Sequence, residues 1–510
     1  MKTYKIGTRG SLLAVTQCTL VKNQLEQISG KQFELVLIKT QGDQIVDRPL
    51  WQLEGKDFFT KELDDALISG QVDMVVHSYK DLGSIRPQEI KLAAITERKF
   101  AQDILLIRKD VLENLQNHKG DFIVGTSSPR RIVNLSKNLA KFIPHAQEKN
   151  LNIRCETLRG NVNTRIGKLK NGQYHAITLA LAGLERLASR EDSKKELTEL
   201  VNGLDYFVLP QTIFPSAASQ GALGIEVRHG RDDNGELEGY ISQLVHQDTV
   251  EEVKREREAF QSYGGGCHLA VGINVKKLGD HFVHIQVGEV DEKPIEKRYI
   301  EGVTLPVMKA DETFFGMPSS ELKVVTDEFY KKTSIETTVE LGDAQAFVTT
   351  HYAIPALKKS SQPLGLWAGG TKTAKKLASE GFWVNGTSDS LGVRDLNLLK
   401  TSKALALFHN LSNWKVLSHV DATSIMGEVV GTYSRSTVSV SDEFSNKLKN
   451  VKQCFWTSFG QYQAYITAYP HMKNLKHFCG MGKTYDEFKT HHVEVTPVIS
   501  IQDFISNIKE

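Results

Sequence analysis

The sequence predicts an α/β protein: two α/β lobes in series, a small α+β domain behind them, and two further α/β domains at the C-terminal end. Three observations carry this. Strand-length apolar runs alternate with helix-period segments through roughly the first 200 residues, the pattern of layered α/β units. Residues 270–276 and 282–290 instead alternate apolar and polar, as antiparallel strands with one wet face do. The last 200 residues contain an internal echo about 110 residues apart. At 510 residues the chain is also too long for one core, and domains of about 100–200 residues give four or five.

The elements follow in order. Residues 4–8 read as a strand, 12–28 as a helix, 33–39 as a strand, 59–68 as a helix and 74–77 as a short buried strand. A second unit begins near residue 101, with strands at 123–125, 154–158 and 176–179 and helices at 130–139, 162–170 and 181–187. Residues 250–262 read as a helix that leads into a run of glycines.

Composition excludes several classes. Hydrophobic content of 40% and charged content of 24% are ordinary for a globular protein, and a net charge of +2 gives no general nucleic-acid or membrane signal. The five cysteines, Cys18, Cys155, Cys267, Cys454 and Cys479, are odd in number and lack CxxC spacing, which points to reduced thiols and not to a disulfide frame or a zinc site. Lys2, Lys5 and Arg9 interrupt the first apolar pieces, so no signal-peptide core is visible. The longest clean apolar run, near residues 176–184, is far too short to cross a bilayer. The expectation is a cytoplasmic monomer with no metal, nucleic-acid or membrane partner.

Chemistry is expected at the strand–helix joints. Gly7-Thr8-Arg9-Gly10-Ser11 joins a strand to a helix, and Gly125-Thr126-Ser127-Ser128-Pro129-Arg130-Arg131 repeats that design in the second lobe. Small residues free the backbone N–H groups where a helix begins, and an arginine stands beside them, as in a carboxylate or phosphate receptor. Leu158-Arg159-Gly160-Asn161-Val162-Asn163-Thr164-Arg165 adds two guanidinium groups at a third joint. One such joint reads equally as solvated arginines near a helix end, but three on one expected rim point to a small ligand with several anionic groups. Lys80-Asp81 follows a buried strand, and reads either as a surface pair or as a group that stabilises a developing cation at the same rim. Gly264-Gly265-Gly266-Cys267 reads either as a glycine-rich turn closed by a small residue or as a presented thiol.

Taken together, residues 4–300 resemble hydroxymethylbilane synthase, also called porphobilinogen deaminase. Ten pieces occur in family order, among them IGTRGSLLA, DRPLWQLEGKDFFTKELDDAL, VVHSYKDL, VGTSSPRR, LRGNVNTRIGKL, ASQGALGIEVR, and EREAF followed by GGGC. The resemblance implies two periplasmic-binding-protein-like lobes, residues 1–100 with 210–227 and residues 101–209, and a cysteine-bearing α+β domain at 228–305. It implies an enzyme that joins four porphobilinogen molecules head to tail with loss of ammonia, building on a dipyrromethane cofactor held through a thioether to Cys267. By match, Arg9, Ser11, Arg130, Arg131, Arg159, Arg165 and Arg186 hold carboxylates, assisted by Lys80, Thr126, Ser127 and Ser128. Arginine suits this task because its fork pairs bidentately with carboxylate. Asp81 matches the catalytic aspartate, which holds pyrrole N–H groups and stabilises the cation left when ammonia departs. Lys56, Phe58 and Phe59 match a mobile loop over the cleft, and Gln220 a hinge-like segment. The chain departs from the family at Gly83, where proline is usual, at Pro129, where leucine is usual, and in a glycine-poor loop at 54–59.

Residues 310–510 resemble uroporphyrinogen-III synthase, a cofactor-free family of two α/β domains. The likeness rests on paired strand–turn–helix units at 346–350 with 366–374 and at 455–458 with 478–485, and on SEGFWVNGTSDSLG. It implies a bifunctional chain that cyclises the linear tetrapyrrole to uroporphyrinogen III, with Thr349, Thr350, Thr371, Thr373, Thr457, Ser458 and Thr484 as contacts to propionates. Tyr433 reads either as a cleft tyrosine or as a plain strand residue. The Gly-Lys-Thr turns do not fit GxxxxGK[ST], so a nucleotide loop is not expected. No opening strand is recognisable at 309–323. Two other readings are an arginine-lined solute-binding protein, which needs no Cys267, and a synthase with a scaffolding C-terminal half.

Overall fold

Serine 11 starts the first long helix and a glycine ends it. In the computed structural model, which describes residues 2–40, 60–83, 85–146, 148, 150–266, 268–318 and 323–509, the Ser11 hydroxyl accepts a hydrogen bond from the Ala14 N–H, and Gly30 closes the helix Leu12–Ser29 with φ 66°. That helix buries Cys18, Val21 and Leu25 against Tyr4 and Ile6 of the neighbouring sheet. The chain folds as two units, Met1–Lys297 with Ser402–Phe408, and Arg298–Thr401 with His409–Glu510.

The first unit holds three sheets. Its strands are β1 (Thr3–Thr8), β2 (Gln32–Leu37), β3 (Met74–Ser78), β4 (Ile90–Ile95), β5 (Asp103–Arg108), β6 (Phe122–Gly125), β7 (Ile153–Glu156), β8 (Ala176–Ala180), β9 (Leu204–Val208), β10 (Leu223–Arg228), β11 (Ala270–Leu278), β12 (His281–Val290) and β13 (Lys293–Ile300), whose last three residues pass into the second unit. One sheet runs β2-β1-β3-β10-β4, another β7-β6-β8-β5-β9, and the third β11-β12-β13. The parallel β-α-β order read from sequence is present, but each large sheet also contains an antiparallel strand. β10 runs against β3 and β4, and β5 runs against β8 and β9. The reason is connectivity: β5 leads out of the first sheet's run of strands and β10 returns to it after β9. Helix Gln247–Ser262 and the β11–β12 hairpin make the third layer, with Val271 and Ile273 buried against Phe260 and Tyr263. The segment Ser402–Phe408 belongs to this unit as well: the Glu185 carboxylate accepts hydrogen bonds from the Ser402 hydroxyl and the Lys403 and Ala404 N–H groups.

The second unit has two large sheets. One runs Val325–Thr326, Thr313–Phe315, Gln453–Trp456, Lys476–Gly480, Thr496–Val498, all parallel. An opening strand therefore exists at Thr313–Phe315. Its three residues are too few for a periodic signal, and its register comes from Gln453–Trp456 beside it. The other sheet runs Tyr330–Ser334, Glu428–Thr437, Trp414–His419, Gln345–Val348, Gly365–Ala368, Gly386–Thr387. An aromatic core of Phe314, Trp456, Phe459, Tyr462, Tyr465 and Phe488 fills the first of these layers. Among the described residues no helix is long and apolar enough to cross a membrane.

Candidate active site

The strand β3 delivers Lys80 and Asp81. It ends in a single tight turn, Tyr79–Asp81, closed by the Leu82 N–H on the Tyr79 carbonyl. This turn is clamped from the third layer. Arg257 donates to the carbonyls of Tyr79, Leu82 and Gly83, and its guanidinium lies 4.7 Å from the centre of the Tyr79 ring. The Asp81 side chain is exposed at the rim, while Lys80 is half-buried.

Lys80 is the first member of a buried chain of polar groups. Its ammonium donates to Gln220 Oε1 at 3.1 Å, and Gln220 Nε2 donates to Asp103 Oδ1 at 2.9 Å and to the Ala101 carbonyl. Asp103 in turn accepts from Arg130 at 2.8 Å and from both ends of the Arg131 fork at 2.7 and 3.0 Å. Burial pushes the Asp103 carboxyl up, but Arg130 and Arg131 outweigh it and hold the group well below the usual carboxylate range. Burial pulls the Lys80 ammonium down to about 8, opposed by Asp81 and reinforced by Arg131. Gln220 sits in a strained segment. Ser219 has φ 65°, and its N–H bonds Glu256. Gly221 has φ 96°, and a Cβ there would meet the Lys99 carbonyl at 2.9 Å, so only glycine fits.

Three arginines converge on the same rim. Arg165, held by the Gly160 carbonyl, is drawn down to about 10 by burial and by Arg131 and Arg159, with Asp81 acting the other way. Arg186 is drawn down to about 10 by burial and is likewise supported by Asp81, and it donates to the Gly221 carbonyl. Arg159 keeps a buried Nε–H without a hydrogen-bond partner. All three remain charged at neutral pH, so Asp81 stands among cations.

The sequence-predicted residues thus divide. Asp81, Lys80, Arg159, Arg165, Arg186 and Gln220 come together. Arg130 and Arg131 are buried and donate to Asp103, the Pro215 carbonyl and the Thr178 carbonyl, so their forks already have partners inside the protein. Ser127 bridges to both backbone groups of Leu158, Thr126 accepts from the Ser128 N–H, and Ser128 precedes Pro129 at the helix start. Ser11 caps its helix, and Arg9 lies two residues before it. Lys56, Phe58, Phe59 and Cys267 lie outside the described residues. Gly264, Gly265 and Gly266 have φ of 93°, 64° and 98°, a run of left-handed backbone that only glycine adopts without strain. Sequence reading missed Asp103 and Arg257. Asp64, His77 and Glu226 bring possible metal-ligand atoms within 4.8 Å of one another, but Arg86 donates to both carboxylates there.

In the second unit the predicted hydroxyls shape turns. Thr349 donates to the Leu417 carbonyl, and Thr350 accepts from the Tyr352 N–H. Ser458 caps the helix Phe459–Ala468, Thr457 donates to Gln461, and Thr484 donates to the Thr457 carbonyl at 3.4 Å. Thr371 opens the helix Thr371–Ser379, which also contains Thr373. Tyr433 is fully buried, with its ring centre 5.8 Å from that of Tyr352 and 5.9 Å from that of His419.

Comparison with known proteins bears on residues 4–236, which match the family profile described as porphobilinogen deaminase, dipyromethane cofactor binding domain. The porphobilinogen deaminase of Nostoc sp. is 34% identical over 304 residues, 59% of this chain and 86% of the relative. That of Nitratiruptor sp. is 37% identical over 299 residues, 58% of this chain and 87% of the relative. Among solved structures, a uroporphyrinogen-III synthetase from Helicobacter pylori overlaps 39% of this chain and 97% of its own, at 15% identity and a TM-score of 0.28. The protein described as the probable amino-acid ABC transporter extracellular-binding protein YtmK of Bacillus subtilis overlaps 51% of this chain and 97% of its own, at 11% identity and a TM-score of 0.26. These two structural likenesses are slight.

Proposed function

The chain belongs to the porphobilinogen deaminase family, and from that premise we propose that its first unit condenses porphobilinogen head to tail, releasing ammonia, on a dipyrromethane group attached to Cys267. The family's cofactor is dipyrromethane. Bound, it supplies the pyrrole carbon from which the chain grows. The residues present suit it: it carries carboxylates, and the rim offers Lys80, Arg165, Arg186 and the unpartnered Nε–H of Arg159.

The observation that carries this reading is the placement of Asp81, an exposed carboxylate on a clamped turn, within the field of Lys80, Arg165 and Arg186. The arginines and Lys80 bind acetate and propionate groups. Asp81 accepts hydrogen bonds from pyrrole N–H groups and stabilises the positive charge that develops on the substrate as ammonia leaves. The Arg257 clamp fixes where that carboxylate stands. Gln220 holds the Lys80 ammonium toward the rim through its own bond to Asp103. Intact mass spectrometry tests the reading. The wild-type chain should exceed its sequence mass by one dipyrromethane, and Cys267→Ser should abolish the increment. An unmodified, fully active chain would overturn it.

The second unit, on this reading, cyclises the linear product to uroporphyrinogen III. Support comes from two strand–hydroxyl–helix joints, at Thr350 and Ser458, where helix N-termini follow parallel strands. Porphobilinogen fed to the full chain, followed by oxidation and isomer separation, should give mainly isomer III. Isomer I alone would remove the second activity and leave the first.

A further inference from the structure

In the second unit, strand Tyr330–Ser334 pairs antiparallel with Glu428–Thr437, and the register sets Lys332 directly opposite Arg435. Like charges directly across a ladder destabilise it. Neither residue makes an ion pair with a described residue. Asp327 is the carboxylate that acts on Lys332, but it already accepts from the Phe329 and Tyr330 N–H groups, the Gln461 amide and the Tyr465 hydroxyl.

The alternation of the two strands puts Tyr330, Lys332 and Ser334 on one face with Tyr433 and Arg435, and His419 flanks Tyr433 on the next strand. Two nitrogen atoms on this face are buried without a partner, Arg435 Nε and His419 Nδ1. Such atoms are costly unless something is there to receive them. A Cβ on Gly460 would stand 3.2 Å from the Tyr330 hydroxyl and 3.5 Å from Arg435 Nη1, so glycine here keeps the start of that helix from pressing on the guanidinium. Gly460 lies in the first turn of the helix capped by Ser458, at the positive end of that helix's dipole. Burial and Arg435 bring Lys332 down to about 8, and burial with Arg435 and Lys483 brings His419 down to about 4. At neutral pH the face therefore carries two cations and a neutral imidazole.

We propose that Lys332 and Arg435 form a carboxylate-binding site of the second unit, which takes an acetate or propionate arm of a tetrapyrrole polycarboxylate. The site rests on the cyclisation reading for the identity of its ligand. One carboxylate lying across both strands accepts from the Arg435 fork and the Lys332 ammonium together, and it removes the cross-strand repulsion.

The test uses the full chain with uroporphyrin III as probe, followed by porphyrin fluorescence, and with inorganic phosphate as competitor. Lys332→Met and Arg435→Gln should each weaken probe binding ten-fold or more. Without probe, their melting midpoints, followed by tryptophan emission, should equal or exceed that of the wild type, because the repulsion is gone. Arg435→Lys, which keeps the charge and loses the fork, should fall between. Unchanged affinity in both variants overturns the site, and so does a lower midpoint in both, which would make the pair structural. Displacement of uroporphyrin by equimolar phosphate overturns the carboxylate assignment. If the variants lose the probe while the wild type makes only isomer I, the site stands and the cyclisation reading falls. If the wild type makes isomer III and the variants bind as it does, the reverse holds.

Discussion

Replacing Asp103 by asparagine should cost more than any other neutral change near the rim. The carboxylate is 1% exposed and accepts from Arg130, Arg131 and Gln220 at once. Asparagine keeps the size, removes the charge, and turns an NH2 group toward arginine N–H donors that need an acceptor. Removing one partner of a buried ion pair costs about 3–5 kcal/mol, because the remaining charge stays buried. With a urea dependence of about 3 kcal/mol per molar, that is a fall of about 1–1.7 M in the unfolding midpoint. The protein supplies its own control. Four of its five tryptophans, Trp367, Trp383, Trp414 and Trp456, belong to the second unit. Tryptophan emission should therefore hold its transition while the far-ultraviolet circular dichroism of the first unit moves to lower urea. The pH arm has a definite sign. The folded carboxyl lies below its unfolded value of about 3.9, so its contribution is present above that pH and fades on acidification. The gap between wild type and variant should thus close as pH falls below about 4. A midpoint that does not move at neutral pH, or a gap that widens in acid, refutes the reasoning.

Three further outcomes are expected. Asp81→Asn should fold with an unchanged midpoint and lose about 10²- to 10³-fold in ammonia release, the usual weight of one preorganised electrostatic contact; near-normal release would make Asp81 a bystander. Activity should decline as pH rises through about 8, where Lys80 loses its proton, and Lys80→Arg should move that limb upward; because the folded value lies below the unfolded one, the same group adds stability as pH rises from about 8 to 10.4, which a thermal scan across that window would register. Ser458→Ala removes the cap that accepts from the Gln461 N–H and should lower the second unit's stability by about 1 kcal/mol, read by tryptophan emission and invisible to porphobilinogen consumption if the units unfold separately.

What the sequence made legible was local. The joints read at Ser11, Pro129 and Asn161 do begin helices, and the glycines at 264–266 sit where only glycine is at ease. What it hid was pairing over distance. Asp103 opens an apolar strand with no cation beside it in sequence, and its partners lie 27 and 28 residues downstream on a helix. Arg130 and Arg131 look like ligand arginines beside a helix N-terminus, and no local pattern reveals that one carboxylate binds both. Arg257 stands among acidic and basic neighbours in a helix, and it clamps a turn 178 residues away. The antiparallel strands β5 and β10 were missed for the same reason: their neighbours are set by the chain passing between sheets, not by any spacing in the strands themselves.

The two units treat concentrated positive charge in opposite ways, and the difference has a thermodynamic consequence. In the first, Asp103 binds both Arg130 and Arg131 from inside, and the rim cations have Asp81 among them. In the second, Lys332 and Arg435 face each other across a ladder and neither forms an ion pair with a described residue, Asp327 acting on Lys332 while engaged by other donors. A ligand that binds only the folded state adds RT ln(1 + [L]/Kd), about 2.7 kcal/mol at one hundred times Kd. For the second unit the repulsion relieved on binding is part of that Kd, so its melting midpoint should rise with uroporphyrin III and fall back with added salt. Lys332→Met, with no repulsion to relieve and one donor fewer, should respond less at the same ligand concentration. Tryptophan emission recorded in both titrations compares the two responses. Equal shifts in wild type and variant would mean that Lys332 contributes nothing to binding.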